Sequence, residues 1–223
     1  MWQLPLQRRW YRSRARGTAL DRCWAAPCPP ASTEWQHAEF LAIDAEMSSL
    51  NPRQGELLSV GWVVIREGHA ALHTAEHHLL RTLRGVGQSA VVHQLRDCEL
   101  TAGMAAGAML ERLLQVAQGR ILVLHHAPLD MAYLNRLSRE TYGAPLLLPL
   151  LDTLALERDK LERQGKVPEQ GSLRLVNCRR RYHLPDYPAH NALIDALSTA
   201  ELFIAQMRCR GGSGRLTLRE LPC

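Results

Sequence analysis

A chain of 223 residues with 46% apolar content is long enough for one ordinary domain with a real core, and no stretch approaches the roughly 18 uninterrupted apolar residues of a membrane span. Its six cysteines (23, 28, 98, 178, 209 and 223) include no CxxC pair and no zinc-like spacing, so they read as reduced thiols of a cytoplasmic protein rather than a disulfide framework or a zinc site. The net charge of +5 is uneven: residues 1–38 carry six arginines against Asp21 and Glu34, a net of +4, which leaves the other 185 residues at +1.

Residues 1–38 are therefore expected to be a basic, solvated and flexible arm, ending at the APCPPAS breaker of residues 26–32. Such an arm would add unspecific attraction to phosphates. Beyond it the pattern becomes regular. EFLAIDAE (39–46) alternates, with Leu41, Ile43 and Ala45 on one side. ELLSVGWVVIR (56–66) is apolar and β-branched like a central strand, and HAALHTAEHHLLR (69–81) alternates more loosely like an exposed one. Short connections make these three an antiparallel meander.

Residues 82–98 read as a polar loop. The period then changes, and Leu100, Met104, Ala108, Leu110, Leu113 and Leu114 predict an amphipathic helix over 100–117. ILVLHH (121–126) is a short buried strand followed by a helix over 129–141. LLLPLLD (146–152) holds another short strand, kept from a central position by Pro149. Helices are predicted over 153–164, 172–181 and 191–208, and residues 209–223 read as a flexible tail. The order implies an α/β fold, a mixed sheet flanked by helices, with the working domain over 39–208.

Three segments carry the chemistry. Asp44 and Glu46 are two apart on the first strand and share a face, while Ile43 and Ala45 turn into the core. Two acids side by side on a buried strand repel and are costly to desolvate, and a divalent cation removes that cost. Alone, the pair is equally a wet strand end. Asp130 falls in the first turn of a helix, where the helix dipole by itself favours an acid. In HNALID, Asn191 is a good N-cap, and Leu193, Leu197, Ala200, Ile204 and Met207 form the helix's inward stripe. Asp195 sits in its early turns, leaning back toward His190, whose imidazole has the right ordinary pKa to accept a proton near neutrality. His125 and His126 end a strand, where a histidine is more often structural than a ligand.

Taken in order, IDAEMSSL, HHAPLD and HNALIDA resemble the three motifs of the DEDDh 3′–5′ exonucleases, the family of the proofreading epsilon subunit of bacterial DNA polymerase III. The resemblance spans about residues 39–208. It implies an RNase H-like fold with a five-stranded mixed sheet. It implies two Mg²⁺ or Mn²⁺ ions held by Asp44, Glu46, Asp130 and Asp195, with Glu46 also serving the activated water and His190 as general base. The product would be a nucleoside 5′-monophosphate. The departures fall at substrate contacts: Met47 replaces a common threonine, His126 the usual Asn and Leu129 the usual Phe. His93 and Arg96 lie where related chains contact the strand, and a plain surface loop fits them equally. Arg179, Arg180 and Arg181 could bind phosphates, but read rather as a solvated helix face.

The leading expectation is thus a metal-dependent exonuclease on single-stranded DNA. An RNA-trimming, oligoribonuclease-like enzyme is the alternative, motivated by EMSSLNP. Only two phenylalanines are available for the base stacking common in RNA recognition. A catalytically silent nucleic-acid-binding module on the same fold is the alternative of another class, although no catalytic position is lost. A DNA polymerase enters as a partner through the resemblance, and no clamp-binding segment is evident after residue 208, which favours a stand-alone enzyme.

Overall fold

The strand Phe40–Met47 (β1) is the axis of the molecule, and its alternation decides what lies on each side. Leu41, Ile43, Ala45 and Met47 enter one apolar cluster, while Phe40 and Ala42 enter a second on the opposite face. β1 pairs antiparallel with Leu57–Arg66 (β2), which pairs antiparallel with His69–Leu79 (β3). On its other side β1 runs parallel to Ile121–Leu124 (β4), itself parallel to Leu150–Asp152 (β5). The sheet order is β3-β2-β1-β4-β5, a five-stranded mixed sheet of the RNase H-like type. Pro149 stands just before the edge strand β5, where a missing N–H costs no ladder bond.

The computed structural model describes residues 4–82, 102–188, 190–212 and 214–222. The expected polar loop, with His93 and Arg96, lies outside them apart from residue 82. Leu4–Ala15 (α1) and Ala19–Ala25 (α2) precede the sheet. Ala106–Ala117 (α3), Ala127–Tyr142 (α4), Thr153–Arg163 (α5), Leu175–Arg180 (α6) and Ala192–Gly211 (α7) follow the order expected. No described helix is long and apolar enough to cross a membrane.

The arm is not an unpacked extension. Ala15, Ala19, Leu20 and Cys23 are buried in the first cluster. Trp24 Nε1 donates to Leu146 O at 2.6 Å and Arg8 Nε to Leu147 O at 3.0 Å. The apolar residues interleaved with the arginines supply enough buried surface to dock both helices. Nor is the tail an unpacked extension. Leu216, Leu218 and Leu221 are buried in the second cluster, and the bonds Trp35 N–Leu216 O and Leu218 N–Thr33 O, both 3.0 Å, tie the tail to residues 33–35.

α7 also differs in its rotation. Its sheet-facing row is Ala192, Ala196, Ala200, Phe203 and Met207, with Leu193, Leu197 and Ile204 only partly covered. Small residues at its start let the helix lie close to β2, where Gly61 stands opposite Asp44. Toward the other end Phe203 packs on Phe40 with ring centroids 4.8 Å apart.

One aspartate fastens two helix starts. The Asp152 carboxylate accepts from His126 N (2.9 Å), Ala127 N (3.0 Å) and Leu154 N (2.9 Å), capping α4 and α5 together. Each lost N-cap costs typically ~1 kcal/mol. Asp152→Ala is therefore expected to lower stability by about 2 kcal/mol, read from urea unfolding, whereas a loss under about 0.5 kcal/mol would show that water replaces both caps.

Candidate active site

The carboxylates meet where β1 outruns β4. β4 pairs with β1 only through Ala42, so Asp44 and Glu46 extend past the parallel pairing on the α7 face. The N-terminus of α7 comes down onto that face beside Gly61, and its first turn carries Asp195. One oxygen each from Asp44, Glu46 and Asp195 lies within 4.8 Å of the others. Asp130 comes from the first turn of α4 and is buried at the same end of the sheet. Its Oδ1 accepts from Ala45 N at 3.1 Å, satisfying a β1 donor that β4 no longer reaches.

These groups are strained electrostatically. Asp44 keeps part of its side chain open to the cleft but is enclosed elsewhere. Burial first, then Asp130, Asp195 and Glu46, holds its carboxyl well above the ordinary carboxylate range. Burial and then Asp195 and Asp130 push Glu46 up to about 7. Asp130 is raised by burial to about 7, against the lowering effect of its backbone hydrogen bonds. Asp195 is raised by burial and eased by the His190 N–H. Hard oxygen donors whose mutual repulsion is relieved by positive charge fit Mg²⁺ or Mn²⁺.

His190 is exposed at the rim and precedes α7 as expected, and Asn191 caps the helix through Leu193 N (3.1 Å) and Ile194 N (3.2 Å). His190 has φ of 68°, in the left-handed region that costs a non-glycine residue roughly 1–2 kcal/mol. Its N–H donates to Asp195 Oδ2 at 2.9 Å, so the carboxylate that joins the acidic set also fixes the histidine's backbone. His126 shares the left-handed conformation, with φ of 69°, and is held by Asp152. His125 is structural, its ring nitrogens meeting Thr153 Oγ1 at 2.8 Å and Leu173 O at 3.0 Å.

All four acids, Met47, His126, Leu129 and His190 line a single cleft of about 1010 Å³. Its outer wall adds Arg158, Arg174, Val176 and Tyr187. The triple arginine does not form a solvated face. Arg179 is 2% exposed and donates to Ser198 O (2.7 Å), Pro185 O (2.8 Å) and Glu201 (2.7 Å). Arg181 pairs with the buried Glu157 at 2.7 Å, and Arg180 alone keeps to the surface, with Asp186. Tyr187 rests over the Arg179 guanidinium, 4.7 Å from its ring centroid, and donates its hydroxyl to Glu201 at 3.0 Å. Neither Tyr187 nor Gly61 stood out in the sequence reading. For Gly61 a signal existed, since glycine inside a strand often marks a close backbone approach.

A family model described as "Exonuclease" matches residues 41–203, and the chain belongs to this exonuclease family. It is 25% identical over 190 residues to a PolC-type DNA polymerase III of Thermotoga petrophila, covering 85% of this chain and 13% of that protein. It is 27% identical over 176 residues to a DNA polymerase III subunit epsilon-like protein of Rhodobacter capsulatus, covering 78% of this chain and 24% of that protein. The chain thus spans a quarter or less of these two relatives. Among solved structures, E. coli exonuclease I in complex with a dT13 oligonucleotide superimposes with a TM-score of 0.64 at 14% identity, covering 78% of this chain and 42% of that one. At that identity the likeness establishes the fold.

Proposed function

We propose that this protein is a metal-dependent 3′–5′ exonuclease that releases nucleoside 5′-monophosphates from single-stranded DNA. The observation that carries this reading is the meeting of Asp44, Glu46 and Asp195 within 4.8 Å on the floor of one cleft that also takes in Asp130 and His190. Asp44, Glu46, Asp195 and Asp130 would hold two divalent cations, which would make an attacking water more acidic and stabilise charge on the leaving oxygen. His190 takes the proton of the attacking water, and its exposed position lets it pass that proton to solvent. Asp195 orients His190 through the backbone bond. Arg158 and Arg174 on the outer wall neutralise phosphates upstream of the scissile bond, and Met47, His126 and the Tyr187 ring give the terminal nucleotides surfaces to rest on. Association with a DNA polymerase belongs to the same reading, supported by the names of the relatives.

The test is release of mononucleotide from 3′-labelled DNA and RNA strands of matched sequence. DNA is expected to be cleaved faster. EDTA and Asp195→Ala should each abolish release, and His190→Gln should lower kcat by about 10²–10⁴-fold, the usual contribution of a general base. Undiminished cleavage in EDTA or by Asp195→Ala would reject the reading, and a faster RNA rate would move it to RNA trimming.

A further inference from the structure

Helix α1 carries more positive charge than its packing uses. Residues 4–16 contain Arg8, Arg9, Arg12, Arg14 and Arg16 and no acid. Arg8 is spent on the carbonyls of Leu147 and Trp24. Arg9, Arg12, Arg14 and Arg16 are exposed and form no ion pair among the described residues. Arg9 and Arg12, three apart on α1, are neighbours at ~5–6 Å, and Arg16, just past the helix end, lines a surface pocket with Arg12 and Asp21. The adjoining ridge is Leu6, 67% exposed, and Trp10, 85% exposed. Beside Trp10 runs an open groove of about 720 Å³ between α1 and α4, to which Arg14, Asn135 and Arg139 contribute.

We infer that this face is a second, accessory docking surface for the sugar-phosphate backbone of a nucleic-acid strand, with Trp10 as a stacking platform for a base. It rests on the proposal that the cleft takes a nucleic-acid end. Three features favour a strand over an anionic lipid surface. A membrane-lying helix turns its whole apolar sector outward into the acyl boundary, whereas α1 packs Tyr11 and Ala15 against the first apolar cluster and leaves only Leu6 and Trp10 strongly exposed. The outward sector is mainly arginine, the side chain best matched to bidentate phosphate contacts and to stacking. An indole flanked by guanidinium groups in a groove is the combination that holds single strands without reading sequence. Docking through Arg8, Trp24 and Ala15 holds the helix itself in place, so the backbone that carries these groups needs no ordering on binding.

The experiment measures binding of a fluorescent 30-nucleotide single strand by the full chain in EDTA, across a salt series, together with hydrolysis of a dinucleotide in Mn²⁺. The triple variant Arg9→Gln, Arg12→Gln, Arg16→Gln should reduce the steepness of log K against log salt by about 2, because each lost single-strand phosphate contact removes about 0.7. Trp10→Ala should weaken binding roughly tenfold, within the range for one stacked base. Both variants should cleave the dinucleotide at the wild-type rate. An unchanged salt slope overturns the inference. So does unchanged strand affinity alongside lost binding to phosphatidylserine vesicles, which would assign the face to lipid. If the wild-type protein leaves the dinucleotide intact, the reading of the cleft fails, while the salt slope still decides the role of α1.

Discussion

Asp44→Asn is expected to remove hydrolysis almost entirely and, in the absence of divalent cations, to make the protein more stable at pH 8. The first effect follows from placing the group at the centre of the acidic set. A metal site contributes several kcal/mol to the transition state, so its loss lowers kcat by about 10³-fold or more. The second follows from the sign of the pKa shifts. Asp44, Glu46 and Asp130 all have folded-state values raised above the ordinary carboxylate range. A carboxylate with a raised folded value binds its proton more tightly in the native state than in the unfolded chain. Its contribution is therefore fully present below about pH 4, and is lost as pH climbs through about 7 for Glu46 and Asp130. The metal-free protein should accordingly melt at a higher temperature at pH 5.5 than at pH 8. Asn in place of Asp44 takes one repelling charge out of the set and flattens that dependence. The gain at pH 8 should be several degrees, since ~1 kcal/mol moves the midpoint about 2–4 °C for a chain of this size. Mn²⁺ should stabilise the wild-type protein by mass action and the variant much less. A lower melting temperature for metal-free Asp44→Asn at pH 8, or equal stabilisation of both proteins by Mn²⁺, would show that the carboxylates do not share a cation site.

The chemistry was more legible in the chain than the surfaces around it. Alternation along residues 40–47 places Asp44 and Glu46 on one face whatever the fold, because period-two geometry is local. The Asn191 cap and its neighbours fix where α7 begins, again from adjacent residues. Tertiary coincidences were hidden. The burial of Arg179 depends on Ser198 O, Pro185 O and Glu201 converging from elsewhere in the chain, and three consecutive arginines give no hint of it. The arm's charge hides the docking of Leu20, Cys23 and Trp24, because what they pack against is far away in the chain: Trp24 Nε1 reaches Leu146 O, 122 residues on. The rotation of α7 is hidden because its large aliphatic residues, Leu193, Leu197 and Ile204, point to an inner face they only partly form. The glycine on β2 instead makes room for a row that begins with alanines.

That glycine gives the other large expected effect. A Cβ on Gly61 would sit 2.4 Å from Leu193 N and 2.5 Å from both Ala192 C and Leu193 Cα, all backbone atoms with no rotamer to yield. β2 cannot recede easily, being paired to β1 on one side and β3 on the other. The start of α7 must lift instead, carrying Asp195 and the His190 N–H bonded to it. Gly61→Ala is thus expected to cost about 1–3 kcal/mol, the range for overpacking a close-packed interior. A displacement of ~1 Å at Asp195 should lower kcat about 10²-fold. KM should change less, because the outer wall of the cleft, with Arg158 and Arg174, is not built on this contact. Gly107→Ala is the control: in α3 its Cβ meets nothing within 4 Å, and alanine there should leave turnover unchanged while stabilising the helix by up to ~1 kcal/mol. Wild-type kcat in Gly61→Ala would mean that Asp195 reaches the acidic set without the close seating of α7 on the sheet. The cleft would then need another means of keeping three repelling carboxylates together.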